Sequence, residues 1–435
     1  MNLRLYNARI LTMEQKRKVF KGEIWIRNER IVNVASEEEL EREWKKEEMP
    51  RITWDQEIDC QGNLLMPGFK DAHTHSPMTL LRSYSDDLPL DRWLKEKVFP
   101  VEEKLTPDDI YQLTRLAVLE YLTSGITAIF DMYISPADVA RACIDTGMRC
   151  VLTSGLNNFT SSIEQVESEY NQWNRENPLI SYELGCHAEY TCDKRLLTQL
   201  SGLAHRHRAP VYMHMAETAK EVKECRERYG MTPAMFMDSL GMFEYGGGAF
   251  HCVHMTQDDM DIFYRRRVYV ITNPASNAKL ASGVAPIKDF LDKRVHVAIG
   301  TDGAASNNCL DMFREMFLVA GMSNLREMDA ASLDAERVLR MATVNGAKAM
   351  RLNRAETLAK GKLADIIMID MHQPNMQPVH NIAKNIVYSG SKSNIKMTMI
   401  NGKILYMDGR FNVGEDPEEI YRACDGIAKR ILAEE

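Results

Sequence analysis

Seven ionisable residues stand at or just beyond the ends of short apolar runs, where reactive side chains could meet. His73 and His75 lie two apart in DAHTHS. Residues i and i+2 of an extended chain point to the same side, so both imidazoles reach one point. Neutral imidazole is a common ligand for zinc or iron. Taken alone, such a pair is equally a structural feature. In HMAET, His214 and Glu217 come together where PVYMHM gives way to a helix. They offer a metal ligand and a nearby proton carrier, although the helix dipole alone also favours a glutamate there. FHCVHM supplies His251 and His254 after another apolar run. AIGTDGAASNN places Asp302 at the carboxyl end of VHVAIG, followed by small residues that leave room for a ligand.

His73 and His75 share a strand, while His214, His251 and Asp302 each end a strand of their own. Convergence therefore depends on how the strands are arranged. From about Phe69 to Met350, runs such as GITAIFDMY, RCVLTSGL and RVYVITN alternate with amphipathic stretches such as DDIYQLTRLAVLEYLTSG. That alternation predicts βα units with parallel pairing. About eight of them fit an α/β protein of the (β/α)₈ TIM-barrel class, in which the carboxyl ends of all strands gather on one face. No G-x-G-x-x-G follows the first strand, which counts against a dinucleotide fold. Three histidines and one carboxylate on that face suit a mononuclear catalytic centre with a position open for water.

Both ends of the chain look different from the middle. GEIWIRNERIVNVA predicts a hairpin about Asn28-Glu29, GKLADIIMIDM and NIVYS predict strands, and MTMINGKILYMDGRF predicts a hairpin whose Asn401-Gly402 favours a type I′ turn. EEELEREWKKEEMP reads as a solvated helix ended by Pro50. The expected organisation is a small β-sandwich built from residues 1–66 and 352–435, with a catalytic barrel of 67–351 inserted. Lys+Arg 54 against Asp+Glu 62 give a formal net charge of −8, which argues against nucleic-acid or anionic-membrane partners. Nine cysteines without a C-x-x-C pair, no signal-like amino terminus and no long apolar run predict a reduced, cytoplasmic protein.

MPGFKDAHTHSPMTLLRSYSDDLPLDRWL, HMAET, FHCVHMT, NPASNAKLASG and IGTDGAASNNCLDMF resemble the amidohydrolase superfamily, and within it the 5′-methylthioadenosine/S-adenosylhomocysteine deaminases. The resemblance runs nearly end to end. It implies a TIM barrel inserted in a sandwich of both termini. It also implies one divalent metal ion, zinc or else iron, with His73, His75, His214 and Asp302 as its ligands. The fourth-strand segment ISYELGCHAEYT has no lysine of the kind two-metal relatives carboxylate there, which favours a single ion. The implied activity is hydrolytic deamination of an adenine nucleoside or analogue. Metal-activated hydroxide attacks C6 and ammonia leaves, with Asp302 accepting the water's proton, His251 orienting the water and Glu217 protonating the ring nitrogen. His254 matches no catalytic position and reads as a packing residue.

The resemblance also implies substrate contacts by Trp93, Glu102 and His187, with Glu102 suited to a ribose diol. Two positions depart from the pattern. Ser154 stands where the family commonly has an arginine, and Ala188-Glu189 follow His187 where Ser-Pro is usual. Losing a cation and adding an anion predicts a preference for a neutral adenosine analogue, or for a ligand with an amine near Glu189. Another aminated or halogenated heterocycle (guanine, cytosine or a triazine) is the alternative substrate. The family resemblance further implies a homo-oligomer. A non-catalytic scaffold is disfavoured because none of the five metal-site residues is lost. A nucleic-acid deaminase is disfavoured because its His-x-Glu and P-C-x-x-C signature is absent.

Overall fold

The computed structural model describes residues 1–45, 52–84 and 86–432. The first strands are β1 (Asn2–Ile10), β2 (Phe20–Arg27), β3 (Arg30–Ser36), β4 (Gln56–Asp59) and β5 (Leu64–Pro67). The middle of the chain supplies β6 (Phe69–Thr74), β7 (Ile126–Tyr133), β8 (Arg149–Ser154), β9 (Ile180–Tyr182) and β10 (Leu184–Ala188). It continues with β11 (Val211–Met215), β12 (Gly247–His251), β13 (Val268–Thr272) and β14 (Val297–Ile299). The last are β15 (Ile366–Ile369), β16 (Ile395–Ile400), β17 (Lys403–Met407) and β18 (Arg410–Phe411).

The middle strands form two parallel sheets, β6-β7-β8-β9 and β10-β11-β12-β13-β14, with helices in most of the connections. Their edges also meet. β8 lies against β10, and β14 lies against β6, where the Asp302 amide donates to the His73 carbonyl at 2.9 Å. A Cβ on Gly300 would fall 2.7 Å from the His73 backbone, so only glycine permits that approach. Seven of these strands each send side chains into one apolar cluster, among them Ala72, Phe130, Val151, Tyr212, Phe250, Ile271 and Ala298. Alternate residues such as Ile129, Leu152 and Val270 pack into a second layer against the helices. Period-two alternation thus serves two buried layers, which is why these strands read as near-continuous apolar runs.

Both ends of the chain enter one nine-stranded sheet, joined where β5 pairs antiparallel with β15, Met66 opposite Ile367. This sheet has a core of its own from Leu3, Leu5, Ile24, Ile26, Ile366 and Met399. The turn between β16 and β17 has positive φ at both Asn401 (54°) and Gly402 (76°), as a type I′ turn requires. The β2–β3 hairpin turns at Asn28-Glu29, with Asn28 at φ 55°. One expectation changes. NIVYS (385–389) is a wide helical turn, continuing a helix that Asn381 caps through the Lys384 amide, so the cap overrides the β-branched run. The helix Pro417–Leu432 docks on the helix Pro107–Thr123 through Arg430–Asp109, and Glu415 just before it pairs with Arg115. The charged segment is helical over Glu37–Lys45, and Pro50 lies outside the described residues.

The sheets are locked together at Arg149, the first residue of β8. Its guanidinium grips Asp365, just before β15, with two of its nitrogens, at 2.7 and 3.0 Å, and both residues are buried. Breaking a buried pair by removing one partner leaves a charge without a counterion. Asp365→Ala is expected to lower stability by about 3–5 kcal/mol, measured as the shift of the urea unfolding midpoint.

Candidate active site

The residues singled out by spacing come together. His73 lies in β6, His75 follows it, His214 lies in β11, His251 ends β12, and Asp302 stands just past β14. Ligand nitrogens of His73, His75 and His214 all lie within 4.8 Å of one another. Asp302 Oδ1 is 3.3 Å from His75 Nε2 and 3.8 Å from His73 Nε2. On the other side of the carboxylate, Oδ2 is 3.9 Å from His251 Nε2, which in turn is 3.8 Å from Glu217 Oε2.

Two carbonyls fix the ring tautomers. His75 Nδ1 donates to the Met132 carbonyl at 2.5 Å and His214 Nδ1 to the His187 carbonyl at 2.7 Å. A carbonyl only accepts, so each Nε2 keeps its lone pair, the arrangement metal-binding histidines adopt. His73 is fully buried, and neither ring nitrogen has a hydrogen-bond partner. Burial pulls the His73 and His214 imidazoles well below their ordinary range, and the neighbouring imidazoles lower them further. Three lone pairs and a carboxylate desolvated at one point fit a divalent cation of the zinc or iron type.

The carboxylates and the imidazole beside this cluster are tuned by the same burial. Burial pushes the Glu217 carboxyl up, against the pull of His251. Burial lowers His251, but Glu217, Asp302 and Asn277 outweigh it, and its imidazole is raised overall. Burial raises Asp302, yet His251, His75 and the Ser276 hydroxyl hold it below its usual value. Asn277 Oδ1 accepts from His251 Nδ1 at 2.8 Å, leaving Nε2 to face Glu217 and Asp302.

Three residues here have left-handed backbone although none is glycine: Ala216 (φ 49°), His251 (φ 68°) and Asp302 (φ 62°). Such positions cost about 1–3 kcal/mol each and persist only where the surroundings over-determine them. Glu221 clamps the first, accepting from the Ala216 amide at 2.7 Å and the Glu217 amide at 2.8 Å. Ser276 donates to Asp302 Oδ2 at 2.6 Å, and Ser282 to Glu217 Oε1 at 3.2 Å. Glu221, Asn277, Ser276 and Ser282 were not marked by spacing. Thr218-x-x-Glu221 carries the pattern of a capping box, the one available signal for Glu221. His254 Nε2 bonds the Ser282 carbonyl at 2.8 Å and so holds the loop, as a packing residue does.

The expected substrate contacts divide. His187 sits beside the histidine cluster, 4.9 Å from the His214 ring, and burial lowers its imidazole to about 4. Glu102 is half-buried near His75 and the Tyr133 phenol, and burial raises its carboxyl to about 7. Trp93 is 5% exposed and packs in the main apolar core. Ser154 shares the outward face of β8 with Leu152 and lies beside the Tyr182 phenol, so its side chain is directed into the helix layer. Glu189 is 1% exposed and held by Arg228 at 2.6 and 3.3 Å. An anion already neutralised and buried does not recruit a ligand amine, which removes the basis for an amine-bearing ligand there.

Depressed imidazoles have a measurable consequence. An ordinary histidine, with pKa about 6.5, is mostly protonated at pH 6 and must lose that proton to bind metal. His73 and His214 are already neutral there, so they contribute no protons. Zinc binding at pH 6, followed by calorimetry in buffers of different ionisation enthalpy, is expected to release fewer than about one proton. Release of two or more would contradict the burial argument.

Comparison with known proteins agrees with this geometry. The model of the amidohydrolase family matches residues 64–405. A 5-methylthioadenosine/S-adenosylhomocysteine deaminase of Pelotomaculum thermopropionicum is 38% identical, over 100% of both chains. A 5′-deoxyadenosine deaminase of Methanococcoides burtonii is 38% identical over 93% of this chain and 92% of its own. Among solved structures, an adenosine deaminase from Xanthomonas campestris with bound zinc superposes with a TM-score of 0.92. It is 30% identical and covers 99% of this chain and 98% of its own. Strand-end histidines, a shared carboxylate and matches over this length place the chain in the amidohydrolase family.

Proposed function

We propose that the protein is a metal-dependent hydrolytic deaminase of adenine nucleosides of the 5′-methylthioadenosine, S-adenosylhomocysteine and adenosine class. One observation carries the reading. His73, His75, His214 and Asp302 offer a metal site, and the proton carriers Glu217 and His251 stand directly beside it. Relatives named as deaminases of such nucleosides, and a structural neighbour solved with zinc, support it. In this reading the two parallel sheets close into a (β/α)₈ barrel of residues 67–351. The apolar cluster fed by seven strands and the contacts of β14 with β6 and β8 with β10 support closure. Residues 1–66 and 352–435 form the sandwich domain, supported by its separate core. No helix among the described residues is long and apolar enough to cross a membrane, and the nine cysteines are unpaired thiols, which suits a reducing cytoplasm. The chain works as one copy of a homo-oligomer.

A zinc or iron ion held by the three histidines and Asp302 supplies the Lewis acidity that makes water a nucleophile at neutral pH. The chain's own groups handle orientation and protons. His251, its Nδ1–H committed to Asn277, directs Nε2 at the attacking water. Asp302 takes a proton from that water through the oxygen facing His251. Glu217, raised by burial, delivers a proton to the ring nitrogen beside C6, so charge does not build up on the heterocycle. Asp302 passes the proton it took to the amino group, the C6–N bond breaks and ammonia leaves, while the hydroxyl proton left at C6 returns to Glu217 and a hypoxanthine ring remains. Glu102 and His187 line the approach, with Glu102 accepting from the ribose diol.

Glu217→Gln keeps the shape and removes the proton donor. It is expected to retain its metal and lose about 10²–10⁴-fold in kcat. Metal analysis and ammonia release check this on adenosine, 5′-methylthioadenosine, 5′-deoxyadenosine and S-adenosylhomocysteine, with guanine, cytosine and a triazine alongside. Wild-type turnover by the variant would remove Glu217 from the mechanism, and activity confined to the non-adenine compounds would replace the substrate class.

A further inference from the structure

A chain of hydroxyl groups runs behind the metal ligands and ends on a side chain that no catalytic role requires. Tyr121, on the helix Pro107–Thr123, is fully buried. Its phenol oxygen lies 2.7 Å from Thr74 Oγ1 and 3.0 Å from Ser76 Oγ, the residues on either side of His75. Thr74 Oγ1 donates to the Asp302 carbonyl at 3.1 Å, and the Ser76 amide donates to Asp131 Oδ2 at 2.8 Å. Thr301 completes the arrangement. Its hydroxyl lies 3.0 Å from the same Asp302 carbonyl, and both its amide (2.8 Å) and its hydroxyl (2.6 Å) reach Asp71. Each hydroxyl has one proton. With Thr74 committed to the Asp302 carbonyl, Tyr121 donates to Thr74 and Ser76 donates to Tyr121. One phenol thereby sets the rotor of Thr74, grips both neighbours of His75, and supports the carbonyl of a residue held at φ 62°.

We infer that Tyr121 is a positioning residue for the metal centre: through Thr74 and Ser76 it fixes His75 against Asp302, so that these two ligands, which approach to 3.3 Å, hold one geometry. The inference rests on the metal site proposed above. Partners in the layer behind metal ligands usually set affinity by about 10–100-fold. Removing only the phenol oxygen leaves the ring filling its place in the core, while Thr74 and Ser76 lose their common partner. Ligand spacing then loosens without loss of any ligand.

The test uses the full-length protein and zinc. Wild-type protein is first titrated with zinc against a chromophoric chelator. Binding of about one ion per chain establishes the metal site itself, and absence of binding sinks that reading rather than the role of Tyr121. Tyr121→Phe is then expected to bind zinc about tenfold more weakly or worse. Its cobalt-substituted form should show an altered visible spectrum, and kcat should fall while KM holds. Tyr182→Phe is the control, since it removes a buried phenol that bonds Glu169 at 2.9 Å, remote from the ligands. It should keep wild-type zinc affinity and the wild-type cobalt spectrum. Should Tyr121→Phe not fold, Thr74→Val and Thr74→Ser replace it, with the valine weakening zinc and the serine, which keeps the hydroxyl, restoring it. Zinc affinity and cobalt spectrum unchanged in Tyr121→Phe, or changed equally in Tyr182→Phe, would overturn the inference, as would equal behaviour of the two Thr74 variants.

Discussion

Several imidazoles and two carboxylates withdrawn from water at one point is the condition on which the rest of the structure depends. Burial penalises every charged form, and neighbouring imidazoles penalise each other, so His73 and His214 are held neutral. The cluster is nevertheless anchored. Carbonyls of Met132 and His187 take the Nδ1 protons of His75 and His214, and Asn277 takes that of His251. All three acceptors come from other segments, so the lone pairs are aimed by the fold rather than by the ligands' own strands. A flexible cluster with the same residues would bond water and turn its rings outward.

Aiming also requires unusual backbone. Ala216, His251 and Asp302 follow or end strands and turn left-handed there, which reverses the direction of the next peptide. Glu217 and Asp302 thereby project over the centre instead of continuing into the helix layer. The turn at Ala216 is held by one carboxylate accepting two successive amides, and Asp302 by its amide on the His73 carbonyl. Strain of this kind is tolerated because the turn at Ala216 is clamped by Glu221 and its carbonyl accepts the Val253 and His254 amides, while that at Asp302 is tied to His73, so relieving one would break contacts elsewhere.

This division explains what could be read from residues alone. Strand-end position and residue type were enough to gather His73, His75, His214, His251, Glu217 and Asp302, because side-chain period and parallel pairing leave few other arrangements. The β16–β17 turn was legible because Asn-Gly has a local preference for positive φ. NIVYS was not, since its helical turn depends on the Asn381 cap and on packing around Ile386 and Val387. The settings of Ser154 and Glu189 were not legible, for two different reasons. A one-residue alternation decides which face of β8 the serine takes, and Arg228, thirty-nine positions beyond Glu189, neutralises that carboxylate through space. The network of Thr74, Tyr121 and Thr301 left no trace in the pattern, because hydroxyls in apolar runs look like ordinary strand and helix residues.

Buried polar side chains occur at both ends of these strands, and their partners distinguish structure from chemistry. At the strand starts, Lys70 donates to the Gly68 carbonyl at 2.7 Å and to Thr127 at 2.8 Å, Arg149 is paired twice with Asp365, and Glu183 with Arg351 at 3.2 Å. These groups are satisfied from within the protein, so they bind the sheets together and offer nothing to a ligand. At the strand ends, His73 has no partner for either nitrogen, and the gaps between His251 and its two carboxylates are 3.8 and 3.9 Å, too wide for direct hydrogen bonds. Desolvation without satisfaction is unfavourable in the chain by itself. It is compensated only when an ion and a substrate enter, so the same burial that stabilises one end of the strands is what makes the other end reactive.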